Sequence, residues 1–125
     1  MEDKKTILFI DDNPVDRMFI SRLLSKYDFN VILAEDGTVG LKMGQEKKPD
    51  LILLDILLPG ISGIELCKKF KNNPETTDIP VIFYTSMDTP KNVIDYASYG
   101  ARDYIQKNTP PQELLDAIQY TMEAG

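Results

Sequence analysis

Four short runs of this sequence are apolar at every position and do not alternate between apolar and polar residues. A strand with one face in water alternates, whereas a strand that is covered on both faces is apolar throughout. The runs therefore predict strands that are covered on both faces, with helices between them. They lie at residues 7–10, 31–34, 51–54 and 81–84.

The segments between these runs carry the signals that begin helices. Asn13 before Pro14 is typical of a cap followed by a first helical turn, and Ser62 followed by Glu65 matches a capping box. Thr89-Pro90 and Thr109-Pro110 repeat the cap-and-proline signal, and residues 38–47 give a weaker helix. Helical spacing of apolar residues predicts the buried faces as follows: Val15, Met18, Phe19 and Leu23 in the first helix; Ile64, Cys67 and Phe70 in the third; Val93, Ile94 and Ala97 in the fourth; Leu114, Leu115, Ile118 and Met122 in the last.

Strands and helices that alternate in this way predict a parallel sheet joined by right-handed crossovers. A weaker fifth strand is expected at 103–105, which gives five strands and five helices. We expect an α/β domain of the doubly wound, flavodoxin-like type with strand order 2-1-3-4-5. The length of 125 residues suits a single domain over 1–125.

Composition excludes several classes of function. The net charge of −6 disfavours direct binding to nucleic acid or to an anionic membrane surface, and no apolar stretch approaches the roughly 20 residues of a membrane helix. The first residues do not resemble a signal peptide, so a cytoplasmic location is expected. One cysteine and no histidine leave no ligands for a zinc site. Any imidazole chemistry must therefore come from another molecule.

Chemically useful residues follow the strands at the edge where doubly wound domains bind ligands. Asp11 and Asp12 follow the first strand, Asp55 the third, Thr85 ends the fourth, and Lys107 follows the fifth. Three carboxylates at one edge repel each other unless a cation relieves them, and Mg²⁺ prefers such oxygen ligands. A carboxylate nucleophile, a metal, a hydroxyl and a lysine together indicate phosphoryl transfer onto Asp55.

These motifs resemble the response-regulator receiver domain of two-component signalling over nearly the whole chain. Residues 7–13 (ILFIDDN) resemble its acidic opening, and residues 49–55 (PDLILLD) with the following Pro59-Gly60 and Gly63 resemble its phosphoacceptor segment. The resemblance implies a switch that accepts phosphate on Asp55 and is not otherwise an enzyme. The phosphate would come from a sensor histidine kinase or a histidine phosphotransfer protein.

The resemblance also assigns further roles. Mg²⁺ would be held by Asp12, Asp55 and the backbone carbonyl of Leu57, with Asp11 assisting through water or from the second shell. Thr85 and Tyr104 resemble the switch pair, in which Tyr104 swings inward when the Thr85 hydroxyl moves toward the phosphate. The surface of the predicted fourth helix, fifth strand and fifth helix would then bind a downstream target or a second copy. The sequence departs from the family at Asn108, where a proline usually follows the lysine.

Three alternatives remain open at this point. A receiver-like domain could work as a constitutive docking surface without phosphorylation. A phosphatase of the haloacid-dehalogenase type would need a second acid two residues after the nucleophile, where Leu57 stands. A flavodoxin-like flavin carrier has the same fold, but acidic residues after the first strand would repel the flavin phosphate.

Overall fold

Five parallel strands form one sheet in the order β2-β1-β3-β4-β5, as the sequence predicts. The structure, a computed structural model, describes residues 4–124, so the ends of the predicted domain at 1–3 and 125 lie outside it. Each strand covers its predicted run with at most one extra residue at either end. The strands are β1 (Thr6–Ile10), β2 (Asn30–Ala34), β3 (Leu51–Leu54), β4 (Val81–Thr85) and β5 (Asp103–Gln106).

Four α-helices connect or follow the strands: α1 (Pro14–Lys26), α2 (Gly37–Lys47), α3 (Gly63–Lys71) and α4 (Pro111–Ala124). The predicted caps are present at two of them. The Asn13 side chain accepts hydrogen bonds from the amides of Val15 and Asp16, and Ser62 Oγ accepts one from the Glu65 amide. Within residues 4–124, none of these helices has the length and apolar character needed to cross a membrane.

The sheet separates two apolar cores, because successive side chains of a strand point to opposite faces. On β1, Leu8 and Ile10 belong to the core that also contains Phe70 of α3, whereas Ile7 and Phe9 belong to the core that contains the buried apolar residues of α1 and α4. Every residue of β3 and β4 is buried. The apolar runs of β1, β3 and β4 reflect this cover on both faces. The same prediction is wrong for β2, which is an edge strand and leaves Leu33 39% exposed.

The predicted buried face of the first helix is wrong at three of its four residues, whereas the fourth, Leu23, is partly buried against the core. Val15, Met18 and Phe19 are 72%, 54% and 46% exposed, and the residues of α1 that are buried are Ile20 and Leu24. The helix carries apolar residues on two faces, and both sets have helical spacing. The face that docks is decided by the strands beneath it, which periodicity alone does not identify.

The predicted fourth helix is also wrong, so residues 4–124 contain four α-helices and not five. The amides of Val93 and Ile94 both donate to the carbonyl of Pro90 in a local turn, and only Tyr96–Tyr99 form a short 3₁₀ helix. Asn, Asp, Ser, Tyr, Val and Ile dominate residues 92–99. All are weaker helix formers than Ala, Leu or Lys, because they lose side-chain freedom or bond to nearby backbone in other conformations.

Candidate functional site

The register of the sheet brings the predicted residues to one edge. Ile10 pairs with Leu54, so Asp11 and Asp55 follow two neighbouring strands at the same level. Thr85 pairs with Gln106, so Lys107 extends one residue beyond that pair. The carboxyl ends of β1, β3, β4 and β5 thus supply the site, as the strand order predicts.

Three carboxylates meet at the centre of this edge. One oxygen from each of Asp11, Asp12 and Asp55 lies within 4.8 Å of the others. Asp11 and Asp55 are 0% and 3% exposed, while Asp12 is open to solvent. Burial of like charges this close together is costly without a cation.

Lys107 supplies a cation within the protein. Its Nζ atom lies 2.6 Å from Asp11 Oδ2 and donates hydrogen bonds to Asp16 Oδ2 at 2.7 Å and Asp55 Oδ2 at 3.2 Å. Burial alone would lower the pKa of Lys107, but the bonds to Asp11 and Asp16 and the charge of Asp55 raise it above its usual range. Lys107 therefore remains an ammonium group, and Asn108 in the place of proline does not turn it away from the pocket.

The two carboxylate oxygens of Asp11 have different partners. Oδ1 accepts from the Asn13 amide at 2.9 Å, whereas the buried Oδ2 has no hydrogen bond of good geometry, although Lys107 Nζ lies beside it. Burial raises the pKa of Asp11, and the bonds from Lys107 and Asn13 oppose this effect. Three carboxylates whose oxygens lie this close together are the donor set that a hard cation such as Mg²⁺ prefers. The residues present therefore fit the predicted metal.

The carboxylate of Asp55 is held in place by the loop that follows it. Its Oδ1 atom accepts from the Leu57 amide at 3.1 Å, which leaves Oδ2 facing Lys107. Gly63 at the start of α3 packs directly on this loop, and its amide donates to the Ile56 carbonyl at 2.9 Å. The metal-binding role of the Leu57 carbonyl stays a prediction.

Thr85 lies at the edge of an open space beside the carboxylates. It is 0% exposed, and its hydroxyl oxygen accepts from the Met87 amide at 3.2 Å. A cavity of about 390 Å³ is lined by Thr85, Ser86, Asp88, Gln106, Lys107 and Asn108. The predicted hydroxyl and lysine thus border one cavity.

Tyr104 already occupies the inward position that the sequence reasoning assigned to the phosphorylated state. The ring is 2% exposed and stacks on Tyr96, with 6.5 Å between ring centroids. Its hydroxyl donates to the Thr89 carbonyl at 2.6 Å, and Gln106 donates to the Met87 carbonyl at 3.0 Å. These two bonds tie the loop after β4 to β5.

Two residues at the site were missed from the sequence. Asp16 bonds to Lys107, and Arg17 donates from Nη1 to the Asp11 carbonyl at 2.7 Å. Asp16 stands four positions after Asp12, at the spacing of one helical turn, which is the one signal that could have found it. Its lysine partner is 91 positions away in the sequence, so no local pattern links them.

Comparison with known proteins gives consistent results. Residues 7–119 match the family described as response regulator receiver domain. Protein PilH from Pseudomonas aeruginosa is 34% identical over 112 residues, which cover 90% of this chain and 93% of PilH. Histidine kinase P4 from Formosa agariphila is 39% identical over 98% of this chain, but the match spans 9% of that kinase. The BeF3-activated N-terminal receiver domain of Klebsiella pneumoniae RstA superposes with a TM-score of 0.87 at 35% identity, over 94% of this chain and 98% of that domain.

Proposed function

The chain belongs to the response regulator receiver domain family, and on that basis we propose that it accepts a phosphoryl group on Asp55 from a sensor histidine kinase or a histidine phosphotransfer protein. Phosphorylation then changes a surface that binds another protein. The domain acts as a switch in a phosphorelay and catalyses only its own phosphorylation and dephosphorylation. The single observation that carries the proposal is the position of Asp55, buried among Asp11, Asp12 and the Lys107 ammonium.

In this proposal Asp12, Asp55 and the Leu57 carbonyl hold Mg²⁺, with Asp11 assisting from beside them. When bound, the metal would neutralise the carboxylates and the negative charge on the transferring phosphoryl group. Lys107 and the Thr85 hydroxyl border the adjoining cavity, where an ammonium and a hydroxyl can each donate to a phosphoryl oxygen. Lysine suits this role because it is a compact charge on a long flexible stem.

The transfer itself needs little more than positioning. An oxygen of the Asp55 carboxylate attacks the phosphorus of a donor phosphohistidine, the phosphorus–nitrogen bond breaks, and its electron pair stays on the imidazole, which takes up a proton. These 125 residues contain no histidine, so the donor phosphohistidine lies outside them. The hydrogen bond from the Leu57 amide fixes the rotation of the Asp55 carboxylate before the attack.

The exposed apolar face of α1 is the best candidate for contact with the donor protein. Val15, Met18 and Phe19 form it together with Leu23, around a cavity of about 400 Å³, and α1 begins two residues after Asp12. Large apolar side chains clustered in the open are typical of interaction surfaces. A donor docked there would have its phosphohistidine close to Asp55.

The output surface consists of the 3₁₀ turn Tyr96–Tyr99, β5 and α4, in place of the surface with a full fourth helix that the sequence predicted. Lys91 forms an ion pair with Asp103 at 2.6 Å and lies 5.9 Å from the centroid of the Tyr96 ring. Thr85 borders the same cavity as Lys107. On the neighbouring strand, the Tyr104 hydroxyl donates to the Thr89 carbonyl and so fixes the loop that leads from Thr85 to the output surface. A downstream target or a second copy of the chain binding here would read the state of Asp55.

Intact-mass measurement after incubation with acetyl phosphate and MgCl₂ tests the acceptor. We expect one added phosphoryl group on the parent protein and none on Asp55→Asn. Asp50→Asn is the matched control, because Asp50 precedes the opposite end of β3 and its carboxylate accepts from the Thr6 amide, which Asn also permits. Loss of labelling in both variants, or in neither, would contradict the assignment of Asp55.

A second experiment tests the donor surface. Phe19→Ala removes the largest side chain of the α1 patch without touching the acidic cluster. We expect slower transfer from a phosphorylated histidine phosphotransfer protein that labels the parent, and an unchanged rate with acetyl phosphate, which needs no docking. Equal slowing with both donors would assign Phe19 to the stability of the domain instead.

A further inference from the structure

The Lys107 ammonium is shared among three carboxylates that do not have the same role. Asp11 and Asp55 belong to the acidic cluster, within 4.8 Å of Asp12. Asp16 lies outside that cluster, in the first turn of α1, and is 31% exposed at its side chain. The hydrogen bond to Asp16 is nevertheless the shorter of the two that Lys107 donates, at 2.7 Å against 3.2 Å to Asp55.

This sharing creates a conflict with the proposed metal. Lys107 Nζ lies 2.6 Å from Asp11 Oδ2 and close to Asp55, so the ammonium neutralises the same oxygens that attract a divalent cation. Two cations at these oxygens would repel each other, so a bound metal would favour a position of the Lys107 ammonium farther from them. Its side chain is only 15% exposed, so solvent compensates it poorly for lost partners.

We propose that Asp16 is a positioning residue that keeps the Lys107 ammonium paired while Mg²⁺ occupies the acidic cluster. The inference rests on the proposed metal site and adds to it a second place for the lysine. Asp16 lets the lysine leave Asp11 and Asp55 without losing every charge-assisted hydrogen bond. It also keeps the ammonium beside the cavity that Lys107 shares with Thr85.

The local structure equips Asp16 for this role. Its amide donates to the side chain of Asn13, the helix cap, so its backbone is fixed relative to the acidic pair that precedes the helix. Arg17 anchors the same turn through its bond to the Asp11 carbonyl. Asp16 therefore holds a constant position next to the cluster.

The test is a titration with MgCl₂ followed by amide shifts around residues 11–13 and 55–57. We expect Asp16→Asn to weaken Mg²⁺ binding about fivefold, the size typical of a partly buried ion pair. In a Lys107→Met background the same substitution should change the affinity by less than about twofold, because only the screened field of the lost charge remains. Asp16→Glu should restore most of the affinity.

The control for charge alone is Glu35→Gln, which removes an exposed carboxylate just after the carboxyl end of β2. We expect it to change Mg²⁺ affinity by less than about twofold in either background. A second readout is the side-chain ammonium resonance of Lys107. With Mg²⁺ bound, the signal should persist in the parent, because the proton-bearing group is paired, and broaden in Asp16→Asn.

The outcomes separate this inference from the function on which it rests. If the parent shows no saturable response to Mg²⁺, the metal assignment fails and the inference fails with it. If the parent binds Mg²⁺ and Asp16→Asn has the same effect with and without Lys107, the metal assignment stands and the positioning role is wrong. A persistent Lys107 signal in Mg²⁺-bound Asp16→Asn would also overturn the positioning role.

Discussion

The substitution Gly63→Ala should damage the stability of the fold and the acceptor site together. A methyl group on Gly63 would lie 2.1 Å from the Asp55 carbonyl oxygen and 2.6 Å from the Ile56 Cα atom. Both atoms are backbone, so no side-chain rotation relieves the overlap. The loop that carries Asp55 must move away from the start of α3.

The size of the effect follows from these distances. Ordinary contacts between carbon atoms begin at about 3.5 Å, so the two backbones must separate by about 1 Å. Overpacking of this kind costs about 3 kcal/mol, at the upper end of the usual range. A displacement of about 1 Å at a reacting group slows chemistry by up to roughly 100-fold.

Gly60→Ala is the matched control in the same loop. Gly60 has a φ of 74°, and a methyl group there would meet no atom within 4 Å. The cost is only the strain of a left-handed residue, about 1 kcal/mol. We expect this variant to be slightly less stable than the parent and to accept phosphate at the same rate.

Urea unfolding followed by circular dichroism measures stability, and the time course of intact mass with acetyl phosphate and MgCl₂ measures acceptance. Gly63→Ala should differ from Gly60→Ala in both. If the two variants unfold at the same urea concentration and accept phosphate equally fast, the packing of α3 on the acceptor loop does not control Asp55, and the reasoning is refuted.

Three further predictions concern the surroundings of the site. Leu57→Asn or Met87→Glu should speed loss of the phosphate, because a polar side chain can orient an attacking water; unchanged decay by intact mass in both variants would contradict this. Tyr104→Phe removes the hydroxyl that donates to the Thr89 carbonyl, so amide exchange over residues 88–95 should accelerate, and exchange equal to the parent would assign the loop's order to other contacts. Burial raises the pKa of Cys67 to about 11, with the charge of Lys71 opposing the shift. Because this folded-state pKa lies above the pKa of the unfolded chain, the free energy of unfolding should fall between about pH 9 and 11. An equally steep fall in Cys67→Ala would exclude the thiol as the cause.

The sheet and its edge were predictable because burial on both faces leaves a direct mark on the sequence. Strand β3 reads as four consecutive apolar residues that end at Asp55, and the strand order then places Asp11 and Lys107 at the same edge. These predictions depend on local patterns and on a general rule of topology. They need no knowledge of side-chain orientation.

The predictions that failed concern segments whose local sequence allows two conformations or two buried faces, between which the rest of the protein selects. Helix α1 presents apolar residues on two sides, and the strands beneath it select Ile20 and Leu24, which leaves Phe19 in solvent. Residues 89–99 carry a helix cap and helical spacing, but their weak helix formers give turns and a short 3₁₀ helix. Asp16 was missed because its role depends on a contact with Lys107 that only the folded chain creates.

The contacts of Lys107 with residues far away in the sequence also affect the stage of synthesis at which the site is complete. The lysine follows the last strand to leave the ribosome and bonds to residues 91 and 52 positions earlier in the chain. Until β5 joins the sheet, the buried carboxylates of Asp11 and Asp55 lie side by side without this cation, and their repulsion opposes the pairing of β1 with β3. Docking of the fifth strand therefore completes the charge balance and the hydrogen-bonded sheet in one event. If the proposed function holds, a nascent chain that has not reached this stage would lack the Lys107 ammonium at its acceptor and should not yet accept phosphate on Asp55.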